Sequence, residues 1–236
     1  MTAVVVDDGA RLGQDALALL NALDIERAHI GGVSMGGMIS AQFACDYPSR
    51  LRSLLLCDTT AGNTDGNDAA SDAERQIRDA FGTMARIVEK HGLAELVERE
   101  NRYRRERDPF ASTRDVSMEA QDEENRRKLA AMTEQAYVNV NRALRERPDL
   151  TSRTHSISAP TLVSCGEWDM FYPCAVRDHR LIASSRLATI RRAAHATPDY
   201  QPELWKQAVF DFIDDVEAGR DVRGEVEYAP SEARIG

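Results

Sequence analysis

The chain has 236 residues, of which 42% are hydrophobic and 29% charged, and this length fits one larger domain or one domain that carries an insertion. Its formal net charge of −9 argues against nucleic acid or an anionic membrane as the main partner, because both repel an acidic surface. No apolar run reaches the roughly 18 residues that span a bilayer. The opening MTAVVVDDG lacks the basic start and long apolar region of a signal peptide, so we expect a cytoplasmic protein.

Residues 1–61 predict the first part of an α/β core. Apolar side chains recur at helical spacing over Asp15–Leu23, which predicts an amphipathic helix. The run HIGGV then leads into Ser34, and the segment after it predicts a helix that Pro48 ends. Leu51–Asp58 is a short, unbroken apolar run, which is typical of a strand buried on both faces of a parallel sheet.

Residues 62–155 carry almost no strand signal and predict an inserted group of helices. Loop-like segments, AGNTDGND and RPDLTSRTHSISAP, bound the region. A separate partner-binding helical module is the alternative, but the strand pattern that resumes at Pro160 favours an insertion within one fold. The stretch Arg102–Asp108 mixes basic and acidic residues and predicts a solvated helix face. Helical spacing is kept by Ile77, Phe81, Met84, Ile87, Val88, Leu129, Met132, Ala136, Tyr137, Val140 and Leu144.

Residues 156–218 predict the second part of the core. A strand over Ala159–Glu167, a helix over CAVRDHRLIA, a strand over Arg186–Arg192 and a helix over PELWKQAVFDFIDDV follow one another. This alternation predicts an α/β fold with a mostly parallel sheet. Residues 219–236 contain few apolar side chains and predict a flexible tail.

The cysteines and histidines give no sign of a metal site. No C-x-x-C pair is present, and no histidine stands at zinc-ligand spacing from a cysteine. Two cysteines, Cys57 and Cys165, end apolar strand-like runs, so we expect them to be small buried hydrophobic residues. A disulfide is not expected in the cytosol. The four cysteines are Cys45, Cys57, Cys165 and Cys174.

Gly32–Gly36 satisfies the pattern G-x-S-x-G between a predicted strand and a predicted helix, which is the context that this motif requires. Such a turn exposes the Ser34 hydroxyl above the strand end, and the N-terminus of the following helix directs backbone N–H groups to the same place. A phosphate-binding turn is the alternative. Neither G-x-G-x-x-G nor the P-loop lysine pattern occurs, so we interpret Ser34 as a nucleophile.

A serine nucleophile needs a base and a group that orients the base. Asp169 and His195 each follow the end of a predicted strand, in the chain order Ser, Asp, His. Each could alone be a capping aspartate or an ordinary loop histidine, but their joint placement favours catalysis. Asp58 also follows a buried strand and is the alternative acid.

On these motifs, together with ALALLNALDIERAHIGGVSMGGM and PTLVSCGEWD, the chain resembles the α/β-hydrolase superfamily, in its branch of small cofactor-free esterases, lactonases, haloperoxidase-like enzymes and C–C bond hydrolases. The resemblance implies that the inserted helices form a cap that shapes substrate choice. It implies an ester or lactone substrate, attack by Ser34, proton transfer by His195, orientation by Asp169 and an oxyanion donor at the Met35 N–H. Candidates for an apolar substrate pocket are Met38, Trp168, Met170, Phe171 and Tyr172.

The chain departs from this superfamily before Gly31, where relatives have further strands and a loop that supplies a second oxyanion N–H. Only the run Thr2–Val6, long enough for one short strand, stands there. We therefore expect a partial hydrolase fold with an exposed sheet edge that favours self-association. We also expect esterase activity at least about 10²-fold below that of a chain extended upstream. A non-catalytic binding or scaffold protein with this fold is the alternative function.

Overall fold

The computed structural model describes residues 9–230 apart from 112, 113 and 115, and it contains a five-stranded parallel sheet. The strands lie side by side in the order in which they occur along the chain, and each pairs in parallel with the next. The predicted α/β class with a parallel sheet is confirmed. The strands are β1 (Ala28–Val33), β2 (Leu51–Cys57), β3 (Thr161–Gly166), β4 (Ser185–Ile190) and β5 (Gly224–Tyr228).

Helices connect every pair of neighbouring strands.

No helix in the part of the chain that the structure describes combines the length and the apolar character needed to cross a membrane. A single 3₁₀ turn, Pro48–Arg50, precedes β2. The helices are α1 (Gly9–Ala22), α2 (Met35–Asp46), α3 (Ala69–Arg107), α4 (Met118–Ala130), α5 (Glu134–Glu146), α6 (Thr151–Thr154), α7 (Tyr172–Leu181), α8 (Thr197–Tyr200) and α9 (Pro202–Glu217).

The unbroken apolar run in β2, Leu54–Cys57, is buried on both faces of the sheet. Side chains alternate between the two faces of a strand. Leu54 and Leu56 pack on the face that Phe43 of α2 covers, whereas Leu55 packs on the face that Phe212 of α9 covers. Full burial of each leucine contributes about 1.5–3 kcal/mol to the free energy of folding. Packing on both faces of β2 therefore stabilises the sheet between two layers of helices.

The long helix α3 bends at Gly92, whose φ of +82° is outside the helical range. The bend removes helical hydrogen bonding there, and Glu134 of α5 accepts a hydrogen bond from the Leu93 N–H at 3.2 Å. Val88 and Leu96, on the two sides of the bend, pack with Tyr137 of α5 in one apolar cluster. The helices between β2 and β3 thus have a core of their own.

A buried ionic cluster fastens these helices to the sheet layer. The Arg177 guanidinium of α7 donates to Glu74 Oε1 of α3 at 2.8 Å and to its neighbour Asp178 at 2.8 Å. The side chains of Glu74 and Asp178 are 0% and 1% exposed. Arg147, at the end of the helical region, donates to the Gly62 carbonyl at its beginning. Both connections of the helical region therefore meet at this cluster.

We expect Arg177→Met to lower the free energy of unfolding by about 3–5 kcal/mol, because it leaves two buried carboxylates without their cation. Urea denaturation measures the change. Arg180→Met is the matched control, since Arg180 is an exposed arginine of the same helix. Its effect should stay within about 0.5 kcal/mol. Equal losses in the two variants would contradict a stabilising role for the cluster.

Part of the predicted flexible tail, 219–236, is instead a strand. Residues Gly224–Tyr228 form β5, which pairs with β4, while Tyr228 and Val222 pack in the cluster of α9. The prediction was wrong here because an edge strand buries only one or two side chains. Its other residues, among them Glu225 and Glu227, are exposed and charged, as is common at sheet edges. The predicted strand over Thr2–Val6 lies outside the described residues.

Candidate active site

Ser34 lies on the sharp turn between β1 and α2, in a backbone conformation that few non-glycine residues adopt. Its φ is +54° and its ψ is −116°. Such a conformation costs of order 1–3 kcal/mol and persists only where the surroundings hold it. The Ser34 N–H donates to the Cys57 carbonyl at 2.9 Å, and the Thr59 hydroxyl donates to the Ser34 carbonyl at 2.7 Å. The end of β2 therefore fixes the turn.

Two glycines beside Ser34 are required by close packing. A Cβ atom at Gly32 would lie 2.4 Å from the Gly36 carbonyl carbon, and one at Gly37 would lie 2.4 Å from the Thr59 side chain. Real Cβ atoms essentially never come that close to another heavy atom. Gly32 lets the strand end approach the helix, and Gly37 lets α2 approach the residue that holds the turn.

The three side chains singled out in the sequence lie together at the carboxyl ends of β1, β3 and β4. Ser34 Oγ is 3.0 Å from His195 Nε2, and His195 Nδ1 is 2.9 Å from Asp169 Oδ2. The second oxygen of Asp169 accepts a hydrogen bond from the Phe171 N–H at 3.0 Å. The geometry matches the chain of hydroxyl, imidazole and carboxylate that serine catalysis needs.

The surroundings of His195 favour its charged form. Burial lowers the pKa of this imidazole, but the neighbouring Asp169 carboxylate and the nearby Asp58 carboxylate act in the opposite direction, and the net pKa is raised above 6.5. The Phe171 ring stacks against the imidazole, with 5.0 Å between the ring centroids. The two carboxylates therefore favour a protonated imidazole, against which the Phe171 ring packs.

The alternative acid, Asp58, does not contact His195. Its carboxylate accepts hydrogen bonds from the Thr197 N–H at 2.7 Å, the Thr197 hydroxyl at 2.5 Å and the Gly166 N–H at 3.2 Å. Burial raises the pKa of Asp58 to about 6, and the nearby Asp169 carboxylate adds to the shift. The carboxylate next to the histidine is therefore Asp169.

Within the described chain, one buried group combines three possible metal donors: Asp58, Cys165 and Asp169, whose donor atoms lie within 4.8 Å of one another. The oxygens of both carboxylates already accept hydrogen bonds from His195 or from protein N–H and O–H groups. Burial raises the pKa of the Cys165 thiol well above its usual value, so the thiolate that a metal would need is disfavoured. These donors fit a hydrogen-bonded site better than a metal centre.

Met35, the residue after Ser34, is the first residue of α2. The N–H groups of a first helical turn have no acceptor within the helix, and the positive end of the helix dipole lies among them. The Met35 N–H is therefore available to a negative oxygen that develops on a group attacked by Ser34.

A cavity of about 700 Å³ opens beside Asp169 and His195, between the helical region and the loops that follow β3 and β4. Its walls include His195 and, of the five predicted pocket residues, Trp168 and Met170. The other three have different places. Met38 is a core residue at 6% exposure, Phe171 stacks on His195, and the Tyr172 hydroxyl bonds to Thr189.

The helical region supplies much of the cavity wall. The stretch Arg102–Asp108 was predicted to be a solvated helix face, and most of its side chains are exposed. Tyr103, Arg104, Arg107 and Asp108 also line the cavity. The charge pattern alone did not show that the end of α3 also lines the cavity that His195 lines. Tyr103 among the charges was the only sequence signal of such a role. The other wall residues from this region are Met84, Ile87, Leu96, Arg99, Glu100 and Pro109.

Comparison with known proteins agrees with the α/β fold described above. A sequence model of a family described as alpha/beta hydrolase fold matches residues 10–179. The chain is similar to a 2-hydroxy-6-oxononadienedioate/2-hydroxy-6-oxononatrienedioate hydrolase of Paraburkholderia xenovorans, with 30% identity over 89% of this chain and 71% of that protein. It is 31% identical to 3-oxoadipate enol-lactonase 1 of Acinetobacter baylyi, over 67% of this chain and 53% of the relative.

A solved structure shows the same fold. A thermophilic esterase from Thermogutta terrifontis superposes with a TM-score of 0.67 at 25% sequence identity, over 89% of this chain and 74% of that one.

Proposed function

The chain belongs to the alpha/beta hydrolase fold family, and we propose from this premise that it hydrolyses a small ester or lactone through Ser34, His195 and Asp169. The observation that carries the proposal is the continuous chain of hydrogen bonds from Ser34 Oγ to His195 and on to Asp169. The similarity of this chain to an enol-lactonase and an esterase supports an acyl substrate.

The reaction we propose has two halves. Ser34 Oγ forms a bond to the carbonyl carbon while its proton passes to His195 Nε2, and the carbonyl oxygen becomes an oxyanion that the Met35 N–H stabilises. The oxyanion collapses, the bond to the leaving oxygen breaks, and His195 gives that oxygen its proton. Water then attacks the Ser34 ester, again with His195 as base, and collapse of the second oxyanion releases the acid and restores Ser34.

Charge in the cavity supports a substrate that carries a carboxylate. Of the arginines in the wall, Arg99 pairs with Glu95 and Arg104 with Asp122. Among the described residues, Arg107 forms no hydrogen bond or ion pair, so its guanidinium remains available to a ligand. The acidic wall residues have other partners. Asp108 accepts from the Tyr200 hydroxyl, and Glu100 accepts from Asn125.

Hydrolysis of two matched esters tests this function. We expect p-nitrophenyl butyrate and mono-p-nitrophenyl glutarate both to be hydrolysed, with the lower KM for the acid-bearing ester. Arg107→Met should raise that KM by about 5- to 10-fold, which corresponds to about 1–1.4 kcal/mol, and leave the neutral ester unchanged.

Arg102→Met is the control, since Arg102 is an exposed arginine of the same helix that does not line the cavity. Equal effects of the two variants would contradict the anionic preference. Rates no higher than those of Ser34→Ala on both esters would contradict hydrolysis itself and favour a binding protein.

A further inference from the structure

Asp58 is a buried carboxylate that the proposed reaction does not use. We propose that Asp58 is a positioning residue of the site, which fixes with one side chain both the loop that carries Asp169 and the loop that carries His195. The inference rests on the proposed function for its kinetic consequences, although its structural basis is independent of any substrate.

The place of Asp58 in the fold suits this role. It directly follows β2, the strand between β1, which leads to Ser34, and β3, which leads to Asp169. From there its carboxylate reaches Gly166, the last residue of β3, and Thr197, two residues beyond His195. Ser34, Asp58, Asp169 and His195 therefore all lie at the carboxyl end of the parallel strands.

The His195 loop needs such an anchor. Ala196, between His195 and Thr197, has a φ of +65°, which is unfavourable for a residue with a Cβ atom. The two hydrogen bonds from Thr197 to Asp58 hold the chain just beyond this strained residue. Without them the loop would be free to relax, and the imidazole would lose its fixed direction toward Ser34.

A carboxylate is the side chain that this place requires. Oδ2 accepts from the Thr197 N–H, while Oδ1 accepts from both the Thr197 hydroxyl and the Gly166 N–H. Asparagine offers one acceptor oxygen only, so its NH₂ group would face a donor on one of the two sides. Asp58 is also 0% exposed, so its charge has no contact with water and depends on these donors.

The same hydrogen bonds prevent Asp58 from replacing Asp169. Both of its oxygens are held by donors of fixed backbone segments, and His195 Nδ1 already donates to Asp169. Asp58 forms no hydrogen bond with His195, so apart from holding the loop it acts on the imidazole through its charge, which favours the imidazolium. The other titratable groups around this pair of carboxylates are the thiols of Cys57 and Cys165, and beyond His195 the cavity wall holds Glu100, Asp108 and the arginines.

An NMR titration of the His195 imidazole in the whole chain, combined with ester kinetics, tests the proposal. We expect Asp58→Asn to lower the His195 pKa, because a neighbouring negative charge is lost. It should keep the downfield signal of the proton shared by His195 Nδ1 and Asp169. It should lower kcat by about 10- to 100-fold, the effect of losing a hydrogen bond to a charged group, with little change in KM.

Two further variants make the test specific. Thr197→Val removes one hydrogen bond to Asp58 and keeps its carboxyl group, so kcat should fall by about 5- to 10-fold, while the His195 pKa should fall less than in Asp58→Asn. Ser53→Ala alters a fully buried polar residue at the other end of β2, and neither quantity should change. If Asp58→Asn does not fold, the kcat of Thr197→Val still tests the proposal.

An unchanged kcat in Thr197→Val, or an unchanged His195 pKa in a folded Asp58→Asn, would overturn the proposal. Loss of the downfield signal in Asp58→Asn would overturn it as well, since Asp58 would then act as the orienting acid. The titration and the downfield signal need no substrate. A chain that hydrolyses no ester would therefore contradict the proposed function without affecting this part of the test.

Discussion

Ser34→Ala is expected to lower kcat for p-nitrophenyl butyrate by about 10⁶-fold, to the level of hydrolysis without a nucleophile. The reason is that no other hydroxyl stands at 3.0 Å from His195 Nε2 among the described side chains. Steady-state ester hydrolysis measures the loss. Removal of the triad serine and removal of the triad histidine have similar effects where the two act as a unit, so His195→Ala should be equally inactive.

Ser40→Ala is the matched control for this prediction. Ser40 lies in the same helix, α2, and its hydroxyl donates to the Gly36 carbonyl rather than into the site. We expect this variant to keep kcat within about 2-fold, because loss of such a bond affects stability by about 1 kcal/mol and leaves the site intact. Residual hydrolysis by Ser34→Ala at a tenth of the original rate would identify another nucleophile.

Asp169→Asn is expected to lower kcat by about 10⁴-fold, as the loss of the orienting carboxylate does in a serine triad. The amide would no longer hold the imidazole tautomer whose Nε2 can accept the Ser34 proton. The contact that would be altered is the 2.9 Å hydrogen bond between His195 Nδ1 and Asp169 Oδ2. Measurement of kcat across a pH series separates this loss from a shift in the His195 pKa.

Asp58→Asn provides the comparison, since both residues are buried carboxylates at the same end of the sheet. Its loss of kcat should be smaller than that of Asp169→Asn by about 10²- to 10³-fold, because Asp58 holds the loops and forms no hydrogen bond with the imidazole. The opposite ranking of the two variants would transfer the role of orienting acid to Asp58.

The fold could be predicted because its sequence signals are local. Leu54–Cys57 is an unbroken apolar run, and the structure buries its side chains alternately on the two faces of the sheet, between two helical layers. Cys57 and Cys165 are buried, as their positions at the ends of apolar runs indicated. The strand β5 escaped prediction because an edge strand with alternating glutamates has no such pattern.

The site could be predicted only in part. The G-x-S-x-G motif requires a sharp turn between a strand and a helix, which locates Ser34 in the fold. Asp169 and His195 also follow strand ends, and the carboxyl ends of parallel strands lie at the same edge of the sheet, so the three side chains could be expected to lie close together. The position of Arg107 in the cavity wall and the placement of Met38 in the core depend on how the helical region packs over the sheet. That packing is a tertiary property, and a spacing pattern along one helix does not contain it.

Covalent labelling with a fluorophosphonate probe, followed by peptide mapping, tests most directly whether Ser34 is an activated nucleophile. We expect one adduct, on Ser34, in the whole chain, and no adduct in His195→Ala, because the hydroxyl depends on that imidazole to lose its proton. Labelling of several serines to a similar extent, or labelling of Ser34 that survives the loss of His195, would contradict it.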